Sequence, residues 1–198
     1  MGWKASAIFI KPAGAVDEQR LLNLFGFGES IAEPEPGYLE AVIYPAEGKL
    51  YISYFNDCII ICVQDFPERF YTSELSFIEH RLIELFPSSE ILATSLHSGT
   101  NHYGYAFIKK GEKIRVKTGY SETPVQYEAG QPLPEELPLY ALARTGKEGR
   151  KYFYFERRPD DPYPEDAVGE NFVFNLTGRF LGEPMHQSEE FMEIKAKA

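Results

Sequence analysis

The sequence predicts an α+β fold: mostly antiparallel sheet built from two three-stranded meanders, with about three helices packed on it. Three observations carry that expectation. Aromatic residues fall in alternating runs, as in Leu50-Tyr51-Ile52-Ser53-Tyr54-Phe55 and Tyr103-Gly104-Tyr105-Ala106-Phe107, which suits a pleated, half-buried surface. Short apolar runs are separated by tight turn signals at Asn56-Asp57 and Lys110-Gly111. Two longer segments repeat their apolar residues every three or four positions, the pattern of a single helix face. The 198 residues, 43% hydrophobic and 25% charged, suffice for one domain over 1–198 with a full core.

Taken in order, residues 4–10 read as a first strand, closed by Pro12 and Gly14. Asp17 caps a short helix to about Phe25, with Leu21, Leu22 and Phe25 inward and Gly26 and Gly28 as its stop. Glu33-Pro34-Glu35-Pro36-Gly37 is an acidic loop. Strands over 40–44, 49–55 and 58–63 form the first meander. The last of them, Cys58-Ile59-Ile60-Ile61-Cys62-Val63, has no polar alternation and is expected to be central and covered on both faces. Ser73 caps a helix over 74–86 that turns Leu75, Ile78, Leu82 and Leu85 inward, and Pro87 ends it. Strands over 90–97, 102–109 and 112–119 form the second meander. The stretch 121–138, rich in Pro and Glu, reads as a long ordered loop, and 151–155 as another strand. Asp160-Asp161-Pro162-Tyr163-Pro164 opens the last helix, which buries Phe172, Val173, Leu176 and Phe180 before Gly182 stops it. The polar tail from Ser188 reads as frayed.

Charge excludes several partners. Twenty Lys and Arg against thirty Asp and Glu leave −10. That sign is poorly suited to nucleic acid, whose binding is largely electrostatic, and it is repelled by anionic lipid. No run approaches the ~18 apolar residues of a membrane span, and the opening Met1-Gly2-Trp3-Lys4 lacks a signal peptide's apolar stretch. A cytoplasmic setting is the expectation. Cys58 and Cys62 sit four apart on one strand face, roughly 13 Å from each other at the rise of an extended chain. They are too far apart to bond and read as buried thiols. No phosphate-binding loop, dinucleotide fingerprint or nucleophile elbow is present. Nothing calls for a cofactor, and two histidines without a third ligand do not make a metal site. His80 reads as exposed, and His186 has no evident partner.

One stretch draws attention. If 98–101 is a four-residue hairpin loop, His97 faces His102 with Cβ atoms ~5 Å apart. The two-residue turn Lys110-Gly111 then sets Arg115 opposite Ala106 and Lys117 opposite Gly104. On that register Leu92, Thr94, Leu96, Tyr103, Tyr105, Phe107, Ile114 and Val116 form a core face. Ala93, Ser95, His97, His102, Gly104, Ala106, Arg115 and Lys117 form the other, small in its middle and basic around it. Such a patch suits a carboxylate, a phosphate or an acidic segment of a partner. It is equally the outer face of any half-exposed sheet, or the seat of an ion pair between Arg115 and the loop around Glu128 or Glu136. Ser98 beside His97 is no dyad, because strand neighbours point to opposite faces.

The stretch 97–136 resembles a bacterial domain family of unknown function. The resemblance rests on His97-Ser98, Ala106-Phe107, Gly111, Arg115 and Gly130-Gln131-Pro132-Leu133-Pro134-Glu135-Glu136, with Gly2-Trp3-Lys4-Ala5 and the final helix similar more loosely. Where the family has Asp-Trp, this chain has Asn101-His102. The resemblance supports the hairpin register and singles out His97, Arg115 and Glu136. It implies no activity, but suggests a clasp in which Glu136 meets the Arg115 fork. The expectation is therefore a non-enzymatic binding or interaction domain, with His97, His102, Arg115, Lys117 and Glu136 as its ligand or partner residues. It would engage a protein partner or a second copy through the sheet face around His97, His102 and Arg115, or through an exposed aromatic strand edge. The alternative is a hydrolase-type enzyme with His97 as general base and Arg115 steadying an anionic substrate.

Overall fold

The structure, a computed structural model, describes residues 2–15, 17–28 and 43–187. The alternating segments form one seven-stranded antiparallel sheet: β1 (Lys4–Lys11), β2 (Leu50–Phe55), β3 (Cys58–Val63), β4 (Glu90–His97), β5 (His102–Lys109), β6 (Glu112–Tyr120) and β7 (Thr123–Ala129). Their order across the sheet is β2-β3-β1-β4-β5-β6-β7. A second antiparallel sheet holds β8 (Ala143–Thr145), β9 (Lys151–Phe155) and β10 (Arg158–Pro164) in the order β10-β9-β8. Four α-helices accompany them among the described residues: α1 (Glu18–Leu24), α2 (Phe77–Leu85), the single turn α3 (Leu137–Tyr140) and α4 (Gly169–Leu181).

The α+β reading with antiparallel sheet holds, but the two three-stranded meanders do not. The first strand in the chain is inserted between β3 and β4, with Phe9 opposite both Ile60 and Leu92. It fuses the two expected units into one sheet. Residues 33–37 and 40–42 lie outside the described residues, as does the tail 188–198. Ile43 and Tyr44 are not strand, so β2 and β3 are a hairpin. The stretch 121–138 is not all loop, because β7 adds a sheet edge there. Pro124 is compatible with an edge, which need not donate on its outer side. Residues 158–164 are strand rather than helix opening, and α4 starts at Gly169. Helix α2 is capped by Ser76, not Ser73. Ser76 and Glu79 form a reciprocal capping box, a better solution for the free N–H groups than a lone serine.

The sheet separates two apolar layers. On one face Phe9, Tyr103, Tyr105, Phe107 and Phe153 pack with Phe172, Val173, Leu176 and Phe180 of α4. On the other, Ile8, Ile10, Ile91, Ala93, Ala106 and Val116 pack with Leu21, Leu22 and Phe25 at α1 and Leu82 of α2. Strand β3 feeds both layers, Cys58, Ile60 and Cys62 to the first and Ile59, Ile61 and Val63 to the second. Its unbroken apolar run is the consequence. Both thiols are buried and free, and burial pushes each up to about 12.

Candidate functional site

The hairpin between β4 and β5 forms as expected, with His97 opposite His102. The next ladder does not. Lys109 pairs with Glu112 and Ile108 with Lys113, but Phe107 pairs with Arg115 and Tyr105 with Lys117. Ile114 is the extra residue of a β-bulge. A one-residue slip sends every later side chain to the opposite face. Val116 therefore joins Ala106 on the face of α1 and α2, while Arg115 and Lys117 turn toward Tyr105 and α4. The bulge is braced by Gly130, whose backbone sits at φ +81 against the Ile114 carbonyl. A Cβ there would lie 2.0 Å from that oxygen.

The five residues singled out from sequence thus divide between two faces. Arg115, Lys117 and Glu136 are buried together, at most 1% exposed. Arg115 Nε donates to Glu136 Oε2 at 3.0 Å and Nη2 donates to Oε1 at 2.8 Å. Nη1 donates to the Gly130 carbonyl at 2.8 Å, and Nη2 also meets Glu128 at 2.5 Å. Glu136 further accepts from the Tyr105 hydroxyl at 2.6 Å and the Leu133 N–H at 2.7 Å. Burial opposes the Arg115 charge, but the hydrogen bonds to Glu136 and the neighbouring Glu128 hold its pKa above the ordinary value. Lys117 Nζ pairs with Glu165, donates to the Tyr140 hydroxyl at 2.6 Å and sits 5.0 Å from the Tyr140 and Phe172 rings. Burial pulls its pKa below the ordinary value even so. Both cations in this cluster are paired, Arg115 with Glu128 and Glu136 and Lys117 with Glu165. It is the clasp that holds the 129–140 segment to the sheet.

His97 and His102 stay on the other face, at the polar end beyond the α1 and α2 layer. They wall a cleft of about 340 Å³ whose floor carries Ser6 and Ser95 and whose rim carries Tyr44, Asp65, Glu68, Thr100 and Tyr120. A second cleft of about 500 Å³ adjoins it, sharing Glu68 and His102 and adding Tyr71, Thr118 and Tyr127. The turn after β3 and the 3-10 turn Pro67–Phe70 bring Asp65 and Glu68 there. Lys113 fixes that segment by donating to the carbonyls of Phe70, Thr72 and Glu74 at 2.7–3.0 Å, with Glu79 beside it. Gly104 on β5 leaves room for the Tyr71 ring, which a Cβ there would approach to 2.3 Å.

The polar groups of the cleft form a chain. The Tyr71 hydroxyl donates to Ser95 Oγ at 2.8 Å, and Ser95 Oγ lies 2.8 Å from His102 Nε2. Glu68 Oε1 is 3.9 Å from the same Nε2. Burial, and then the neighbouring His97, lower the His102 pKa. Burial and then Asp65 raise that of Glu68. His97 Nδ1 is buried with no hydrogen-bond partner among the described residues. Among the described residues neither cleft is lined by a lysine or arginine. Lys4, His97's partner on β1, instead lies over the Tyr44 ring at 5.7 Å. The expected basic patch is therefore replaced by imidazoles and carboxylates, because the bulge removed both of its cations. Ser95 was placed on the right face from sequence, but Asp65, Glu68 and Tyr71 reach it from a distant segment, and no local pattern marks them. Among the described residues no cluster of three or more His, Cys, Asp or Glu is arranged to hold a metal ion, and no helix is long and apolar enough to cross a membrane.

Of the remaining histidines, His80 is exposed on α2, and His186 stacks on Phe174 with ring centroids 4.4 Å apart. Ser98 serves the architecture. It accepts from the Trp3 N–H at 2.7 Å and lies 3.2 Å from Glu170, tying β1 and α4 to the hairpin. Compared with known proteins, residues 14–164 match the model of a family of unknown function, DUF6928. No curated protein and no solved structure matches the chain significantly. The chain belongs to that family, whose matched region holds Arg115, Lys117 and Glu136 and most of the cleft lining, but not Ser6, Glu165, Gly2-Trp3 or α4.

Proposed function

We propose that this member of the family is a binding domain whose site is the cleft between His97, His102, Asp65 and Glu68, and whose ligand presents a cationic group such as an amine or guanidinium. The observation that carries this reading is the charge of the lining. Two carboxylates from one turn segment line the cleft, no lysine or arginine lines it among the described residues, and Glu68 titrates upward through burial and then through the nearby Asp65. A bound cation relieves that repulsion and gains a charge-assisted hydrogen bond. Arg115, Lys117 and Glu136 contribute by holding the sheet in register. A cytoplasmic setting, supported by the −10 charge, is part of this reading.

A thermal-shift screen tests it, since a ligand of the folded state raises the melting temperature by mass action. Primary amines and guanidinium compounds should stabilise the wild-type chain, and phosphate or carboxylates should not. Glu68→Gln combined with Asp65→Asn should abolish the amine effect while leaving the unliganded melting temperature near its starting value. Stabilisation by anions alone would refute the reading.

A further inference from the structure

The hydroxyl–imidazole pair on the cleft floor has a capacity that binding does not use. Ser95 is only 4% exposed but lines the open cleft, and its Oγ stands 2.8 Å from His102 Nε2. That is the reach required between a nucleophile and its general base. The Tyr71 hydroxyl occupies a lone pair of Oγ from the other side, so the serine proton is directed at the imidazole when His102 is the Nδ1–H tautomer. Burial of His102 favours the neutral imidazole that can accept it.

We propose that Ser95 is a nucleophile activated by His102, and that the cleft hydrolyses carboxylic esters that carry no negative charge. The inference rests on the cleft being the ligand site. The steps balance without a redox partner. Ser95 Oγ bonds to the ester carbon while its proton passes to His102 Nε2. The ester C–O bond then breaks, the departing alkoxide takes the proton from His102, and an acyl-Ser95 remains. A water attacks that acyl carbon, gives its proton to His102, and the acid leaves as Oγ recovers the proton. Asp65 and Glu68 at the rim select against anionic substrates. Glu68 meets His102 on Nε2 rather than on Nδ1, so it serves the substrate side of the ring and does not orient it.

An alkyl fluorophosphonate tests the pair on the full chain: Oγ–P forms, P–F breaks, and fluoride leaves as His102 takes the serine proton. Mass spectrometry of the wild-type digest should find the adduct on Ser95. Labelling should vanish in Ser95→Ala and slow at least about 100-fold in His102→Gln, the usual worth of a positioned base. A wild-type Ser95 left unmodified overturns the proposal, and that result needs no variant to fold. Labelling at an unchanged rate in His102→Gln overturns it as well. If amines still raise the melting temperature of a protein whose Ser95 does not react, the binding reading stands and only the chemistry is lost.

Discussion

Two polar regions lie back to back on the β4–β6 ladders. Behind Tyr105, the Arg115–Glu136 pair is sealed from water and every donor has an acceptor. In front of Gly104, the two imidazoles and two carboxylates of the cleft are partly exposed and share few bonds. Both regions are built from residues that look equally functional in a sequence. What separates them is saturation: a buried ion pair with all its lone pairs engaged specifies a register, while groups left open at the end of a sheet are available to something else.

The comparison breaks most sharply at the clasp. Arg115→Met or Glu136→Gln leaves an unmatched buried partner, and each should cost about 3–5 kcal/mol in urea unfolding. A loss under about 1 kcal/mol would show the pair to be dispensable and open to ligand. Gly130→Ala forces a side chain against the Ile114 carbonyl at positive φ. The backbone strain alone should cost about 1–3 kcal/mol, visible as a lowered urea midpoint. On the cleft side Tyr71→Phe removes one buried hydrogen bond and should cost about 1 kcal/mol. Glu68→Gln should change stability by no more than about 0.5 kcal/mol, as at an ordinary surface position, while weakening amine binding.

The smallest effect is a pH slope. The folded-state pKa of His102 is depressed, so the unfolded chain binds the proton first. Its contribution is whole above the ordinary histidine value near pH 6.5 and is lost as the pH falls from there toward the depressed value. Glu68, raised in the folded state, has the opposite sign and enters lower, just above the ordinary carboxylate range. Melting curves between pH 7 and 5.5 should therefore fall less steeply for His102→Gln than for the wild type.

Much of this was legible in local sequence. Asp17 caps its helix, β3 is buried on both faces, the α4 stripe faces inward, and His97 meets His102. Arg115 with Glu136 was one of the open readings, and the two side chains do pair. The bulge was not legible. Lys113-Ile114-Arg115 alternates like any strand, and the extra residue is decided by Gly130 and the 129–140 segment closing over it. Strands β7 and β10 hid behind prolines that edge strands tolerate. The insertion of β1 between β3 and β4 is set by pairing across the whole chain, which no local pattern encodes.

The division of labour between the two faces is tested most directly at His102. Its ring carbon protons can be followed by NMR while a primary alkylamine, and separately phosphate, is titrated into the wild-type protein. The amine should shift the His102 and His97 signals in a saturable way and phosphate should leave them unmoved. Saturable shifts with phosphate and none with the amine would contradict the account, because they would make the cleft an anion site.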